Sequence, residues 1–403
     1  MSAVSANLRP LPKSLSFYVG RLSGFRRQNI KILPQGVQTG ILPSTTIRIT
    51  LPENSLVDLE SFALYMDYVA AANNSAPANI DSALIQSMQV TVGGVQIASI
   101  QNYNQLAQVL HSWCDGTDAR GRRAYNQFGN AAVAAPVGTR KIVLNQFLPL
   151  MWRPAVIDTG ITGTIEITLN LASKFIQASL TANRANFTLN SLYGAIDVIS
   201  FADDSYSRML REAVNSGVVL EVPFFNAQSY LNLVSSMNQS TRFVCSSGSM
   251  DMLIATVLNS DFDTDVNDAT IYSTDLPYYF KKEGDNVSTW QFLLNGTAIP
   301  AYEVAKDFTP STNAMALTST YDTLGGHTIL TQTNVEQHFA AFLKLNASLT
   351  PDERMRAGYD ASLTNVQLEW RSTGTAVNAL VMVFVCMTSL LRFSGGRQLE
   401  VLL

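Results

Sequence analysis

Apolar and polar residues alternate over much of this chain with the period of two that a half-buried β-strand produces. Thr46-Ile-Arg-Ile-Thr-Leu51 alternates, and so does Gly163-Thr-Ile-Glu-Ile-Thr-Leu-Asn-Leu171 over its whole length. Strand patterns at Ser61–Val69, Lys141–Asn145, Phe147–Trp152 and Asn190–Phe201 complete a first block. A second block opens at Gly217-Val-Val-Leu-Glu-Val-Pro-Phe224, continues through Ser249–Leu258, His338–Leu345 and Ala361–Trp370, and ends in the apolar run Ala379–Leu391. That last run is apolar at both parities, so it predicts a strand buried on both faces. It is too short to span a bilayer as a helix.

One local pattern occurs twice. Met88-Gln-Val-Thr-Val-Gly-Gly-Val-Gln-Ile97 and Trp290-Gln-Phe-Leu-Leu-Asn-Gly-Thr-Ala-Ile299 each read as strand, tight turn, strand. Gly93-Gly94 and Asn295-Gly296 supply the positive φ angles that a two-residue hairpin turn demands. Two copies about 200 residues apart point to two related β-domains in tandem, a built structural object more than an enzyme. Helical spacing is confined to short stretches. Tyr103–Trp113 places Leu106, Val109, Leu110 and Trp113 on one side, and Arg208–Val214 forms a short helix in a polar joint. The expected organisation is an arm (1–35), a first β-domain (36–201), a linker (202–216), a second β-domain (217–398) and a tail (399–403). Residues 115–136 are expected to form an exposed polar loop and residues 309–334 a long polar insertion. With about eight strands per block, the fold class is all-β, two tandem antiparallel sandwiches with short helices.

Composition sharpens this picture. Hydrophobic residues make up 47% of the 403 positions, enough for two cores, while charged residues make up only 14%. Soluble domains usually carry about 25% charged residues, and a surface poor in charge is expected where copies of the chain cover one another. The net charge of −4 hides an asymmetry, because Arg9, Lys13, Arg21, Arg26, Arg27, Lys31 and Arg48 all precede the first acid, Glu53. The basic arm, with Leu15, Phe17, Tyr18, Leu22 and Phe25 at loosely helical spacing, suits an anionic lipid surface, packaged nucleic acid, a neighbouring subunit or its own domain. The three cysteines are widely spaced and odd in number, so no disulfide framework is expected, and Cys245 and Cys386 read as core. The N-terminus lacks the pattern of a secretory signal.

Catalytic chemistry finds little support. His111, His327 and His338 are the only histidines and none are at metal-ligand spacing. His111 and Cys114, three apart on the helix, read as a helix-face pair. Asp261–Asp268 offers several oxygens but lacks the glycine and terminal glutamate of a helix-loop-helix calcium site. The Gly-Gly pairs have no phosphate-binding context. No catalytic residue, cofactor or metal is expected. Arg120, Arg122 and Arg123, beside Tyr125 and Phe128, suit either nucleic acid or a partner subunit, and the acidic chain average favours the partner. Trp152, Phe224, Phe225 and Trp370 are candidates for core or intersubunit contacts.

Two tandem sandwiches, a basic arm, insertions after paired hairpins and a weakly charged polar surface resemble the double jelly-roll major capsid proteins. This lineage is shared by adenovirus-like viruses, large DNA viruses and tailless icosahedral phages with an internal membrane, and the chain looks most like the phage members. Val92-Gly-Gly-Val-Gln-Ile97 and Leu294-Asn-Gly-Thr-Ala-Ile-Pro300 carry the resemblance over about residues 36–398. It implies two eight-stranded jelly rolls and a homotrimer acting as a pseudo-hexameric capsomer in an icosahedral virion shell, without enzymatic activity or sequence-specific nucleic-acid binding. It further implies neighbouring capsomers, penton and minor capsid proteins and, in members that have one, an internal lipid membrane as partners. Synthesis would be in the host cytoplasm. Arg9, Lys13, Arg21, Arg26, Arg27 and Lys31 would face inward on the arm, and Arg120, Arg122 and Arg123 would lie in an intersubunit loop. The alternatives are a non-catalytic glycan-binding or attachment protein and, third, a sandwich hydrolase using Asp58, Glu60 or Glu166.

Overall fold

The computed structural model describes residues 25–70, 84–114, 139–145, 147–150, 156–173, 187–201, 208, 212, 215–217, 219–234, 238–258, 287–321, 339–345, 347–348, 356–361, 364–372, 379–394 and 398–402. The first half contains β1 (Phe25–Ile32), β2 (Thr46–Thr50), β3 (Leu56–Ala70), β4 (Ile85–Val92), β5 (Val95–Gln101), α1 (Tyr103–Cys114), β6 (Thr139–Asn145), β7 (Val156–Asp158), β8 (Ile165–Leu171) and β9 (Phe187–Phe201). The second contains β10 (Leu220–Val234), β11 (Asn238–Cys245), β12 (Met250–Leu258), β13 (Val287–Leu294), β14 (Thr297–Ala305), α2 (Thr309–Tyr321), β15 (Ala341–Lys344), the two-residue pair β16 (Ala347–Ser348) and β17 (Arg356–Ala357), β18 (Thr364–Ser372), β19 (Ala379–Ser394) and β20 (Gln398–Leu402).

The strand order is the same in both halves. In the first, β1-β9-β3-β6 form one sheet, with β7 beside β3, and β2-β8-β4-β5 form the other. In the second, β10-β19-β12-β15 form one, with β20 beside β19, and β11-β18-β13-β14 form the other. Numbered within its half with β7, β16, β17 and β20 left out, each pair of sheets reads 1-8-3-6 facing 2-7-4-5, with every pairing between these strands antiparallel. That order, two four-stranded sheets sharing eight strands, is a jelly roll. The repeated sequence pattern occupies the same place in each: β4–β5 and β13–β14 are the hairpins between the fourth and fifth strands.

Alternation places the cores. Ile165, Ile167, Leu169 and Leu171 of β8 are buried while Glu166, Thr168 and Asn170 are half-exposed. β12 is buried at all its positions, and β19 at Val381–Ser389. On these strands one parity (Leu253, Ala255, Val257, Val381, Val383, Val385) lines the second jelly roll. The other parity (Met252, Ile254, Met382, Phe384, Cys386) joins the hydrophobic cluster of the first. The double burial expected for Ala379–Leu391 therefore has a specific cause: the β10-β19-β12-β15 sheet is shared between two cores. Each large apolar side chain so buried contributes about 1.5–3 kcal/mol.

Four expectations need correction. Residues 25–32, placed in the basic arm, form the strand β1, which pairs along its whole length with β9, so this part of the arm packs on its own domain. Of that arm, residues 1–24 lie outside the described residues. The tail was expected over 399–403, but Gln398–Leu402 form β20 and pair with β19. Phe147–Leu150 is a buried turn closed by Leu150 N–H donating to Phe147 O (2.9 Å), where a strand was expected. Pro149 in the run cannot supply a ladder donor. The first part of the 309–334 insertion is the helix α2. In the linker, Arg208, Glu212 and Asn215 have helical backbone and Ser216 N–H donates to Glu212 O, matching the short helix expected there.

Candidate assembly surfaces

The two hairpin turns have matching backbones. Gly93 and Gly94 have φ of 55° and 85°, and Asn295 and Gly296 have 49° and 81°. Each turn is tied to the start of the seventh strand of its jelly roll, Gly93 N–H donating to O of Thr164, the residue before β8 (2.8 Å), and Asn295 N–H to Asn365 O of β18 (2.9 Å). Their surroundings differ. A Cβ on Gly93 would lie 2.8 Å from Thr162 O and within the side chain of Leu399, so only glycine fits beside β20. Asn295 is exposed, and its Oδ1 accepts from Asn365 N–H at 2.9 Å.

The hairpin and helix of the first jelly roll are covered by the second. Trp113 of α1 is fully buried and meets Phe342 of β15 edge-on, ring centroids 5.7 Å apart. Residues 103–110 of α1 are buried all round, including Asn104, Gln105 and Gln108. At the outer edge of β5, Ser99 N–H donates to Asn226 Oδ1 (3.1 Å) and Asn102 Nδ2 to Ser229 Oγ (2.9 Å), both acceptors on β10. The edge amide of β5 is thus satisfied by a side chain of the other half, which aligns the two jelly rolls as well as packing them.

The corresponding unit of the second jelly roll is anchored inward and open outward. Asn313 of α2 is fully buried, its Nδ2 donating to Ala340 O (2.6 Å) and its Oδ1 accepting from Phe342 N–H (3.0 Å). Trp290 Nε1 donates to Thr309 Oγ1 (2.9 Å). In β14 the pairing with β13 is interrupted between Val304 and Ile299, so Pro300–Glu303 bulge outward. Tyr302 on the bulge is 61% exposed, and Phe308 and Met315, spaced seven residues apart along α2 and the turn before it, are each 68% exposed.

A different surface lies on the outer face of β1-β9-β3-β6. Arg27 binds Asp197 through Nε and Asp58 through Nη2 (2.7 Å), and Asn29 Nδ2 donates to Asp197 Oδ1 (2.7 Å). Burial pushes the Asp197 carboxyl up, but the bonds from Asn29 and Arg27 and the guanidinium charge outweigh it and hold it below the usual carboxylate range. Burial, with the Asp58 charge beside it, pushes Glu60 up. Next along the face, Ala63 and Ala195 pair across β3 and β9 and are buried. Tyr65 and Tyr193 then stack at 5.0 Å, with Lys31 Nζ 4.3 Å from the Tyr193 ring centre. Lys141 lies 3.7 Å from Asp67 at the far side.

Of the arm residues singled out in the sequence, Arg26, Arg27 and Lys31 lie exposed on β1, and Arg9, Lys13 and Arg21 lie outside the described residues. Arg120, Arg122, Arg123, Trp152 and the Asp261–Asp268 stretch lie outside them too. Phe224 and Phe225 join the cluster between the jelly rolls, and Trp370 lies inside the second. Cys245 and Cys386 are buried free thiols, each pushed up by burial. His111 is half-buried in a crevice with Tyr103, Leu144 and Phe147. Asp58 and Glu60 sit on β3 and Glu166 on β8, in opposite sheets of one jelly roll. Among the described residues no three His, Cys, Asp or Glu converge on a point, and no helix is long and apolar enough to cross a membrane. Sequence reasoning missed Tyr302, Phe308 and Met315. Their signal, isolated large apolar residues in a polar stretch after the second hairpin, emerges only by comparison with the first.

No protein-family model matches the chain and no curated protein matches it. Solved structures do. The PBCV-1 virus capsid matches with a TM-score of 0.66 at 13% identity, covering 93% of this chain and 96% of that one. The Faustovirus major capsid protein matches at 0.60 and 7%, covering 91% and 90%. A chain of the Sputnik virophage structure matches at 0.57 and 10%, covering 94% and 88%. With the same strand order in both halves, this chain has the double jelly-roll fold of viral major capsid proteins.

Proposed function

We propose that this chain is a major capsid protein, three copies of which form a pseudo-hexameric capsomer of an icosahedral virion shell. The single observation that carries the reading is the repeated 1-8-3-6/2-7-4-5 topology along one chain, matched over nine-tenths of its length by capsid structures. Two similar jelly rolls in one chain let three chains present six similar wedges, so a threefold object can occupy a sixfold position in a closed lattice. Its work is assembly, not turnover. The cluster of Arg27 with Asp58 and Asp197 is held in mutual bonds that stitch β1 to its sheet.

Neighbouring capsomers, penton and minor capsid proteins, and an internal membrane where present, are the partners of such a shell. Residues 1–24, with Arg9, Lys13 and Arg21, supply the inward arm in this reading, and Arg120, Arg122 and Arg123 an intersubunit loop. Domain limits follow the strands: one jelly roll from β1 to β9 and the second from β10 to β19, with β20 added to it. The virion is its location, after synthesis in the host cytoplasm.

Light scattering after size-exclusion chromatography, with negative-stain imaging of the same peak, tests this. The expected species is a trimer of about 132 kDa, three times the 44.0 kDa chain, with a six-cornered outline. A chain that stays monomeric across salt and pH overturns the proposal.

A further inference from the structure

The strand β20 lies outside the eight-stranded repeat, and its neighbours give it a role. In the first jelly roll β3 stays paired with β9 down to Leu56–Ile199, close to the end of β9 at Phe201. In the second, β12 leaves β19 at Met250–Met387, and β20 pairs with β19 from Leu390 to Ser394. It does so on the side that β12 has left, because β10 holds the other side throughout. The lower end of the third strand is thus replaced in the second jelly roll by a strand from elsewhere in the sequence.

The backbone of β20 belongs to the second jelly roll, but its side chains reach the first. Leu399 and Val401 pack against the hydrophobic cluster that contains the first core, and β20 touches β5. Leu399 lies so close to the β4–β5 turn that a Cβ on Gly93 would overlap it. Glu400, between these two residues, lies 3.6 Å from Arg392, which in turn binds Glu221 of β10 through Nε (3.1 Å) and Nη2 (2.8 Å).

We infer that β20 is a clasp across the joint between the two jelly rolls, bonded by its backbone to the second and gripping the first through Leu399 and Val401, so that it fixes the angle between them. The polar contacts across the joint, Ser99 with Asn226 and Asn102 with Ser229, fall three residues apart on β10, about 10 Å of strand. Leu399 pairs with Phe393 and, through it, aligns with Leu220, six residues from Asn226 or about 20 Å along β10. A contact at that distance resists rotation about the other two with a longer lever. A five-residue strand paired on one side is marginal by itself, and its apolar seat on the first jelly roll offsets the entropy lost in ordering it. The clasp acts within one chain and stands apart from the capsid reading. In a capsomer it would keep the two wedges of each chain at one angle.

The two buried cysteines of the full chain report on the joint. Cys386, on β19 before the stretch paired with β20, belongs to the cluster that joins the jelly rolls, and Cys245 belongs to the core of the second alone. Burial pushes both thiols up and keeps them unreactive until an opening exposes them. Leu399→Thr with Val401→Thr keeps β-branched residues for pairing with β19 and removes the apolar grip. Peptide mass spectrometry after timed exposure to a thiol reagent should show Cys386 modified about tenfold faster in this variant, with Cys245 unchanged. Equal acceleration at both cysteines, or none at Cys386, overturns the clasp. Hydrogen exchange on the wild type needs no variant: the hydrogen-bonded amides of Leu399–Leu402 should exchange as slowly as those of β5. Fast, fraying exchange of Leu399–Leu402 overturns the inference as well. Neither readout depends on assembly, so the size of the oligomer tests the capsid reading separately.

Discussion

The hairpin and helix of the first jelly roll and those of the second share topology and turn geometry, yet one is buried and the other open. α1 carries Leu106, Val109, Leu110 and Trp113, and its surroundings bury even its glutamines. α2, Thr-Pro-Ser-Thr-Asn-Ala-Met-Ala-Leu-Thr-Ser-Thr-Tyr, has no comparable apolar stripe and is held by the polar anchors Asn313 and Thr309. Two copies of one motif have therefore diverged according to what covers them. Within the chain the cover is permanent, and the packing is apolar. Where no described part of the chain lies over it, the motif is fastened from below and keeps a few large apolar residues on top.

The largest expected effect breaks the covered side. Trp113→Ala should cost about 3–5 kcal/mol, because it empties a site shared by two cores, whereas Met315→Ala should stay within about 0.5 kcal/mol. Urea unfolding midpoints of the two variants would compare them directly, and equal losses would show that the units are not different in the way described.

The polar anchor of the open side comes next. Asn313→Ala leaves Ala340 O and Phe342 N–H without their partner in a buried site, an expected loss of about 1–3 kcal/mol. Hydrogen exchange at the Phe342 amide should accelerate at the same time.

Exchanging the turns sharpens the comparison further. Gly93→Asn, which copies the second turn into the first, should cost about 1–3 kcal/mol, because the new Cβ would collide with the backbone oxygen of Thr162. Asn295→Gly forfeits only the bond to Asn365, about 0.5–1.5 kcal/mol. Thermal melts of the two single variants suffice to rank them.

The smallest effect concerns pH and β1. The Asp197 carboxyl is held below its ordinary value, so its contribution is complete above the unfolded value near about 3.9 and is lost as pH falls through the lowered one. Arg27 is half-exposed, which limits the contribution to under about 1 kcal/mol. The difference in stability between wild type and Arg27→Gln should be constant at neutral pH and shrink to zero in acid, followed by denaturant titrations at stepped pH.

Much of the fold could be read along the chain. The alternation in β8, the double burial of β19, both hairpins and the helix α1 depend on residues close in sequence, whose period or turn chemistry is visible at once. β1 escaped notice because Arg26, Arg27, Gln28, Asn29 and Lys31 leave only Ile30 and Ile32 to mark a buried side. An edge strand with one wet face needs no more. β20, Gln-Leu-Glu-Val-Leu, alternates over four residues but follows the long β19 run at the chain's end and so reads as tail, and α2 lacks the apolar spacing that reveals a helix. Of the residues named in advance for assembly, the described ones on β1 turned out to belong to a sheet, while the exposed patch near α2 carried no signal of its own.

What the sequence determined alone was a set of strands, turns and a repeat, because period-two patterning and positive φ are properties of neighbouring residues. Which of two similar units is buried was decided only by the tertiary structure. The contacts that settle it, Ser99 with Asn226 and Trp113 with Phe342, join residues more than a hundred positions apart. No local pattern records whether a distant sheet will lie over a given face, since the same strand order accommodates either outcome.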